Sequence, residues 1–316
     1  MTATSSSLFF LLLCLPSLTL PHPALALSAS GRSPATVLGD FWPWRRANAP
    51  RSEPAAGYYP PADGGGAMLT EAPGTFPPAG EPLNIIIAGT SSPAVLVDQQ
   101  NDGGFRNYIL SIGFASECLG QHEGDAQMAN LGDGNGYVNE TAELRWDYGD
   151  PSLGTCEETI QGGDHFRYWV QNGPSANSSA IFMASSYEMP IAEGHNIVVN
   201  GYNLGRDWLL GNITGSPINT SALTNTSTFS GDTEYAGFKY STSIQYVGGL
   251  LSASGVGVNH NTTVGVNGQP AIDGLVAVLD VKITTVPANA TSSAGWRLTP
   301  PPTTGLLVLL VGALYI

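Results

Sequence analysis

Leu83-Asn84-Ile85-Ile86-Ile87-Ala88-Gly89 is the stretch on which the reading of the fold turns. Three consecutive β-branched residues closed by a glycine suit a short buried strand, and Pro82 in front of them marks an abrupt start to the folded body. Downstream, Phe105, Tyr108, Ile109 and Ile112 recur at the spacing of one helix face, so a helix is expected over 105–112. Further strands are expected at 142–146, 166–170, 180–184, 196–199, 240–246 and 275–283. A short helix is expected over 204–210, following Asn203 as its cap. Strand therefore outweighs helix. The expected fold is α+β, a single domain over residues 82–288 with a mixed or antiparallel sheet and a few short helices.

Residues 27–81 read differently. Pro34, Pro43, Pro50, Pro54, Pro60, Pro61, Pro73, Pro77 and Pro78 recur there beside Gly64-Gly65-Gly66, with no sustained apolar period. That composition predicts a disordered Pro/Gly-rich arm. Its Arg45-Arg46 pair is a candidate processing site. The whole chain of 316 residues is only 11% charged and has a formal net charge of -14. Nucleic-acid binding needs clustered Lys and Arg to neutralise phosphate, so that class is excluded.

Both ends read as addresses. Residues 8–20 form an apolar run followed by Ala24-Leu25-Ala26, the small-x-small pattern of a secretory signal, with cleavage expected after Ala26. The run is shorter than the roughly 20 residues of a spanning helix. At the other end, small residues at 292–295, a proline-rich spacer and an uncharged apolar tail over 305–316 make the three parts of a glycosylphosphatidylinositol (GPI) signal, assigned to 289–316. Ser293 is the expected attachment residue. The expected partners are the outer leaflet of the plasma membrane, through that lipid, and cell-wall polysaccharide.

The cysteines and sequons fit an exported chain. Cys14 would leave with the signal, and Cys118 and Cys156 remain as one expected disulfide. Seven N-x-S/T sequons stand at Asn139, Asn177, Asn212, Asn219, Asn225, Asn261 and Asn289.

Candidate chemistry concentrates in two segments. In 162–170, strand alternation puts His165, Arg167 and Trp169 on one face and Phe166, Tyr168 and Val170 on the other. In 193–209 lie His195, Arg206 and Asp207. Two of the six basic residues of the expected domain fall in these clusters, so His165, Arg167, His195, Arg206 and Asp207 are the candidate catalytic set. Arginines would hold an anion and a histidine would move a proton, which defines the alternative of an extracellular hydrolase on a phosphate or acyl substrate. The leading reading is a ligand-binding or structural surface module rather than an enzyme. Asp133-Gly134-Asn135-Gly136 lacks the spacing and terminal Glu of a calcium loop and reads as a tight turn. Gly89-Thr90-Ser91-Ser92 lacks the Gly-x-Ser-x-Gly elbow of a serine hydrolase. His122, His165, His195 and Asp207 show no metal-ligand spacing, so no metal and no cofactor is expected.

Residues 82–212 resemble the C-terminal domain of LssY-type membrane proteins. The likeness rests on Pro82-x-Asn84 before an aliphatic strand, Gly113-Phe114 at a helix end, the His165-x-Arg167-x-Trp169 strand, and His195 followed by Arg206-Asp207. Secreted proteins of filamentous fungi are similar in Cys118-Leu119-Gly120-Gln121-His122 and in 133–136. The single histidine at 195, the two cysteines and the Ser/Thr-rich final third depart from the bacterial pattern. The resemblance implies a fold and no defined activity.

Overall fold

The computed structural model describes residues 54–122, 124–265 and 268–288. The expected signal peptide, the Arg45-Arg46 pair, Ser293, Asn289 and the C-terminal signal lie outside the described residues.

The described chain is α+β. Ten strands run in the order β1 (Ile85–Ile87), β2 (Phe114–Ser116), β3 (Met128–Asn130), β4 (Tyr137–Asn139), β5 (Ala142–Trp146), β6 (Gly163–Gly173), β7 (Ala176–Glu188), β8 (Thr228–Tyr235), β9 (Phe238–Val247) and β10 (Val276–Thr285). Among them sit four α-helices, α1 (Phe105–Leu110), α2 (Gly154–Gln161), α3 (Gly201–Thr214) and α4 (Asn261–Val264). Eight strands form one mixed sheet in the order β2-β5-β6-β7-β1-β10-β9-β8, and β3 pairs with β4 separately. The Ile85-Ile86-Ile87 run lies at the sheet's centre, antiparallel to β7 and parallel to β10.

Both faces of the sheet are covered, which is why that central strand carries no polar alternation. On one face, Ile85, Ile87, Phe166, Tyr168 and Leu279 pack under α1 and the Leu209, Leu210 and Ile213 stripe of α3. On the other, Ile86, Trp169, Phe182 and Val276 pack against Tyr58, Met68, Leu131 and Ile272. Asn84 ties these parts together: its Nδ2 donates to the carbonyls of Ser185 and Tyr202 at 2.9 Å each.

Three expectations are corrected. The Pro/Gly-rich arm is not disordered along its described part, because Tyr58, Met68 and Thr70 are buried and Leu69 bridges to Pro82. Tyr58 and Met68 join the second core layer with Leu69 packed against it, so the folded body begins well before residue 82. Residues 196–199 form no strand; Ile197 makes a single bridge to Glu188, and the segment turns on His195 and Asn200, both with positive φ. The helix expected over 204–210 starts earlier and runs longer, from Gly201 to Thr214, with Asn200 preceding it and a left-handed Gly215 ending it. Gly205 lets α3 lie against the sheet, since a Cβ there would stand 2.6 Å from the Ser186 carbonyl carbon.

Cys118 and Cys156 form a disulfide that closes 38 residues and ties α2 to the loop after β2. No helix among the described residues is long and apolar enough to cross a membrane.

Candidate functional site

β6 places His165, Arg167 and Trp169 on one face, as its alternation predicts, and that face is buried. β5 runs antiparallel beside it with Arg145 opposite His165 and Glu143 opposite Arg167. Register thus builds a cross-strand quartet of two arginines, a histidine and a glutamate. α2 adds Glu158, the end of β7 adds Glu188, and the following loop adds His195.

The two guanidiniums organise the group. Arg145 reaches Glu143 at 2.5 Å, Glu158 at 2.8 Å, Glu188 at 3.6 Å and Glu117 at 4.0 Å. Arg167 reaches Glu143 at 2.6 Å, Glu140 at 3.1 Å and Glu81 at 3.6 Å. Six carboxylates therefore face two arginines. Burial pushes Glu143 up to about 7 against the pull of Arg167 and Arg145, and pushes Glu188 up to about 8. His165 is 1% exposed, and burial followed by Arg145 and Arg167 holds its imidazole well below the usual histidine range. His165 is thus neutral. The exposed ring of His122 goes the other way, raised by its 2.7 Å hydrogen bond to Glu117.

The structure divides the five candidate residues. His165, Arg167 and His195 gather on this face, His195 through a 3.1 Å contact between its Nε2 and Glu188 Oε2. Arg206 and Asp207 sit on the other face, where α3 crosses the layer containing Tyr246. There Arg206 pairs with Asp207 at 2.7 Å and with Asp273 at 2.8 Å, and Tyr246 donates to Asp207 at 2.7 Å. One pocket lined by all five is not formed. Arg167 is committed to carboxylates and Arg206 to aspartates, so neither is offered to an anionic substrate. Glu143 and Arg145 were missed by the sequence reading; the same period-two rule on 142–146 puts them together on one face of that strand, and the register then sets them opposite Arg167 and His165. Glu158 and Glu188 carried no such signal, because only tertiary folding brings them there.

A second feature lies behind the same end of the sheet. Trp146 of β5 and Tyr187 of β7 point away from the charged group and meet Trp208 of α3 over a cleft of about 760 Å³. The Trp146 and Trp208 rings meet edge to face with centroids 4.6 Å apart, and Tyr187 and Trp208 lie 6.1 Å apart. Gly113 makes room for the Trp146 ring, which a Cβ at that residue would approach to 2.3 Å. Ser111, Asn212 and Thr220 contribute polar groups to the cleft, and Asp207 is its sole charged lining residue.

The remaining sequence features resolve simply. The Asp133 carboxylate accepts from the backbone N–H groups of Asn135 and Gly173, so 133–136 is a turn held by its own aspartate. Asn139, Asn177, Asn219, Asn225 and Asn261 are exposed, whereas Asn212 has a buried Nδ2. Two groups could hold a metal ion, Glu117 with His122 and Glu143, and Glu158 with His165 and Glu188. Neither has the short His spacing on which the expectation of no metal rested. Compared with protein families, curated proteins and solved structures, the chain gives no match.

Proposed function

We propose that this is a secreted, N-glycosylated, GPI-anchored protein of a fungal-type cell surface whose domain binds a neutral carbohydrate in the Trp146, Tyr187 and Trp208 cleft. The cleft carries the reading. Flat aromatic surfaces offer apolar area to the hydrogen-bearing faces of sugar rings, while Ser111 and Thr220 supply hydrogen-bond groups for hydroxyls. The one charged residue there, Asp207, is already engaged by Arg206 and Tyr246, which favours an uncharged ligand. Export and anchoring rest on the two short apolar termini, and the disulfide and the five exposed sequons accord with that compartment. Kinship with the LssY-type domain belongs to the same proposal and rests on the motif residues alone.

Titration with neutral wall-type oligosaccharides should shift the tryptophan fluorescence of the purified domain, and Trp208→Ala should weaken binding by at least about tenfold, the scale of one stacking contact. Unchanged affinity in that variant overturns the cleft assignment. Release of the protein from intact cells by a phosphatidylinositol-specific phospholipase is expected; retention contradicts the anchor.

A further inference from the structure

We propose that Glu158, His165 and Glu188, closed by His195, form a binding site for a single divalent transition cation of the zinc class. The four residues come from α2, β6, β7 and the loop after β7, and the site faces away from the aromatic cleft. It is therefore independent of the carbohydrate reading.

Three observations carry it. The first is spacing. Glu158, His165 and Glu188 offer ligand atoms that all lie within 4.8 Å of one another. Glu188 Oε2 stands 3.4 Å from His165 Nδ1 and 3.1 Å from His195 Nε2. A tetrahedral ion with bonds of about 2.1 Å spaces its ligands about 3.4 Å apart, so these are the edges of a coordination shell.

The second observation is His165 itself. It is wholly buried, yet its Nδ1 makes no hydrogen bond and points at Glu188 Oε2, which makes none either. A buried nitrogen and oxygen left facing each other cost free energy unless something lies between them. The opposite ring nitrogen, Nε2, lies 3.3 Å from Ser186 Oγ. Arg167 Nη1 stands as close to Nε2, at 3.3 Å, and can only donate; with a cation on Nδ1, Nε2 carries the proton and donates it to the Ser186 hydroxyl, the outer contact that fixes a metal-bound imidazole, and Arg167 Nη1 is left to Glu81. Ser186 is then a positioning residue.

The third is charge. Six acidic side chains share two guanidiniums in a low-dielectric interior, so a divalent ion would balance acids that otherwise need protons. Arg145 Nη1 donates to Oε2 of Glu158 at 2.8 Å, which ties this carboxylate to the cluster. Mixed nitrogen and oxygen ligands select zinc-like ions over calcium or magnesium, which take oxygen alone. Glu188 and His195 are partly exposed at 13% and 20%, which leaves an entry from the side of the loop after β7.

The test is calorimetric titration of the full-length, chelator-stripped protein with Zn²⁺, and with Co²⁺ read by its visible ligand-field bands. One equivalent is expected, with a tetrahedral Co²⁺ spectrum and a rise in Tm on loading. Glu188→Gln should weaken Zn²⁺ binding by more than the roughly 10–100-fold that an outer contact is worth, and Ser186→Ala by about tenfold. Should Glu188→Gln fail to fold, the partly exposed His195→Ala carries the same expectation. His122→Ala, which disables the Glu117, His122 and Glu143 group, should leave affinity unchanged. Absence of binding overturns the proposal, as does binding that survives Glu188→Gln and His195→Ala but is lost in His122→Ala. If the facing nitrogen and oxygen merely share a proton, the stripped protein shows neither heat nor colour.

Discussion

Replacing Arg145 by Met tests the buried charge group without adding a polar atom. The side chain is 3% exposed, and its guanidinium serves Glu143 and Glu158, each with no side-chain exposure, as well as Glu188. Methionine fills much of the same volume. The carboxylates then stand in a low-dielectric interior with Arg167 as the main remaining cation, at 2.6 Å from Glu143 alone of the three. Removing one partner of a buried pair costs about 3–5 kcal/mol, against a total stability of about 5–15 kcal/mol for a domain. With a urea slope of about 2–3 kcal/mol/M, the midpoint should fall by roughly 1.5 M at unchanged slope. The Glu143→Gln and Arg145→Met double variant should lose less than the sum of the singles, with a coupling of at least about 1 kcal/mol. Equilibrium urea unfolding in chelator at neutral pH measures all three. A loss below about 1 kcal/mol in Arg145→Met, or strict additivity, would refute the view that this guanidinium neutralises the buried acids.

Other consequences are independent of that group. Reducing the Cys118–Cys156 bond reopens a 38-residue loop and should cost about 4 kcal/mol in the chain-entropy account, seen as a drop in Tm with reductant that Cys118→Ser reproduces. Burial pushes the Tyr240 phenol up to about 12 from an unfolded value near 10. The unfolded chain therefore ionises first, so stability is intact below pH 10 and declines by about 3 kcal/mol as pH approaches 12. Phenolate absorbance should rise together with unfolding, and Tyr240→Phe should flatten part of that decline. Because the Nδ2 of Asn212 is buried, peptide mapping of the secreted protein should find that sequon unmodified while Asn139 or Asn177 carries glycan.

What the sequence revealed depended on whether the signal was local. Ile85-Ile86-Ile87 suited a buried strand by its β-branched composition, and 142–146 read as a strand with bounds that the structure matches. The split of 163–170 into a Trp169 face and a Phe166 and Tyr168 face follows from period two alone. Where local chemistry and tertiary packing disagreed, packing won. Tyr58 and Met68 are too sparse among prolines and glycines to announce a core, yet an uncovered sheet face draws them in. Residues 196–199 have strand composition, but left-handed His195 and Asn200 turn the chain out of the ladder. β8, rich in Ser, Thr and Gly and largely exposed, gave too weak an alternation to be read. The site was legible by half: His165, Arg167 and His195 were named, while Glu158 and Glu188 arrive from α2 and the far end of a hairpin, and Arg206 was misplaced because helix phase decides its face.

The aromatic cleft is tested most directly on the wild-type protein, by fluorine resonances after 5-fluorotryptophan labelling. Added neutral oligosaccharide should move the Trp146 and Trp208 signals in step with binding and leave Trp169, 1% exposed in the other core layer, where it was. Still signals from Trp146 and Trp208 at saturating sugar, or movement confined to other tryptophans, would contradict the account.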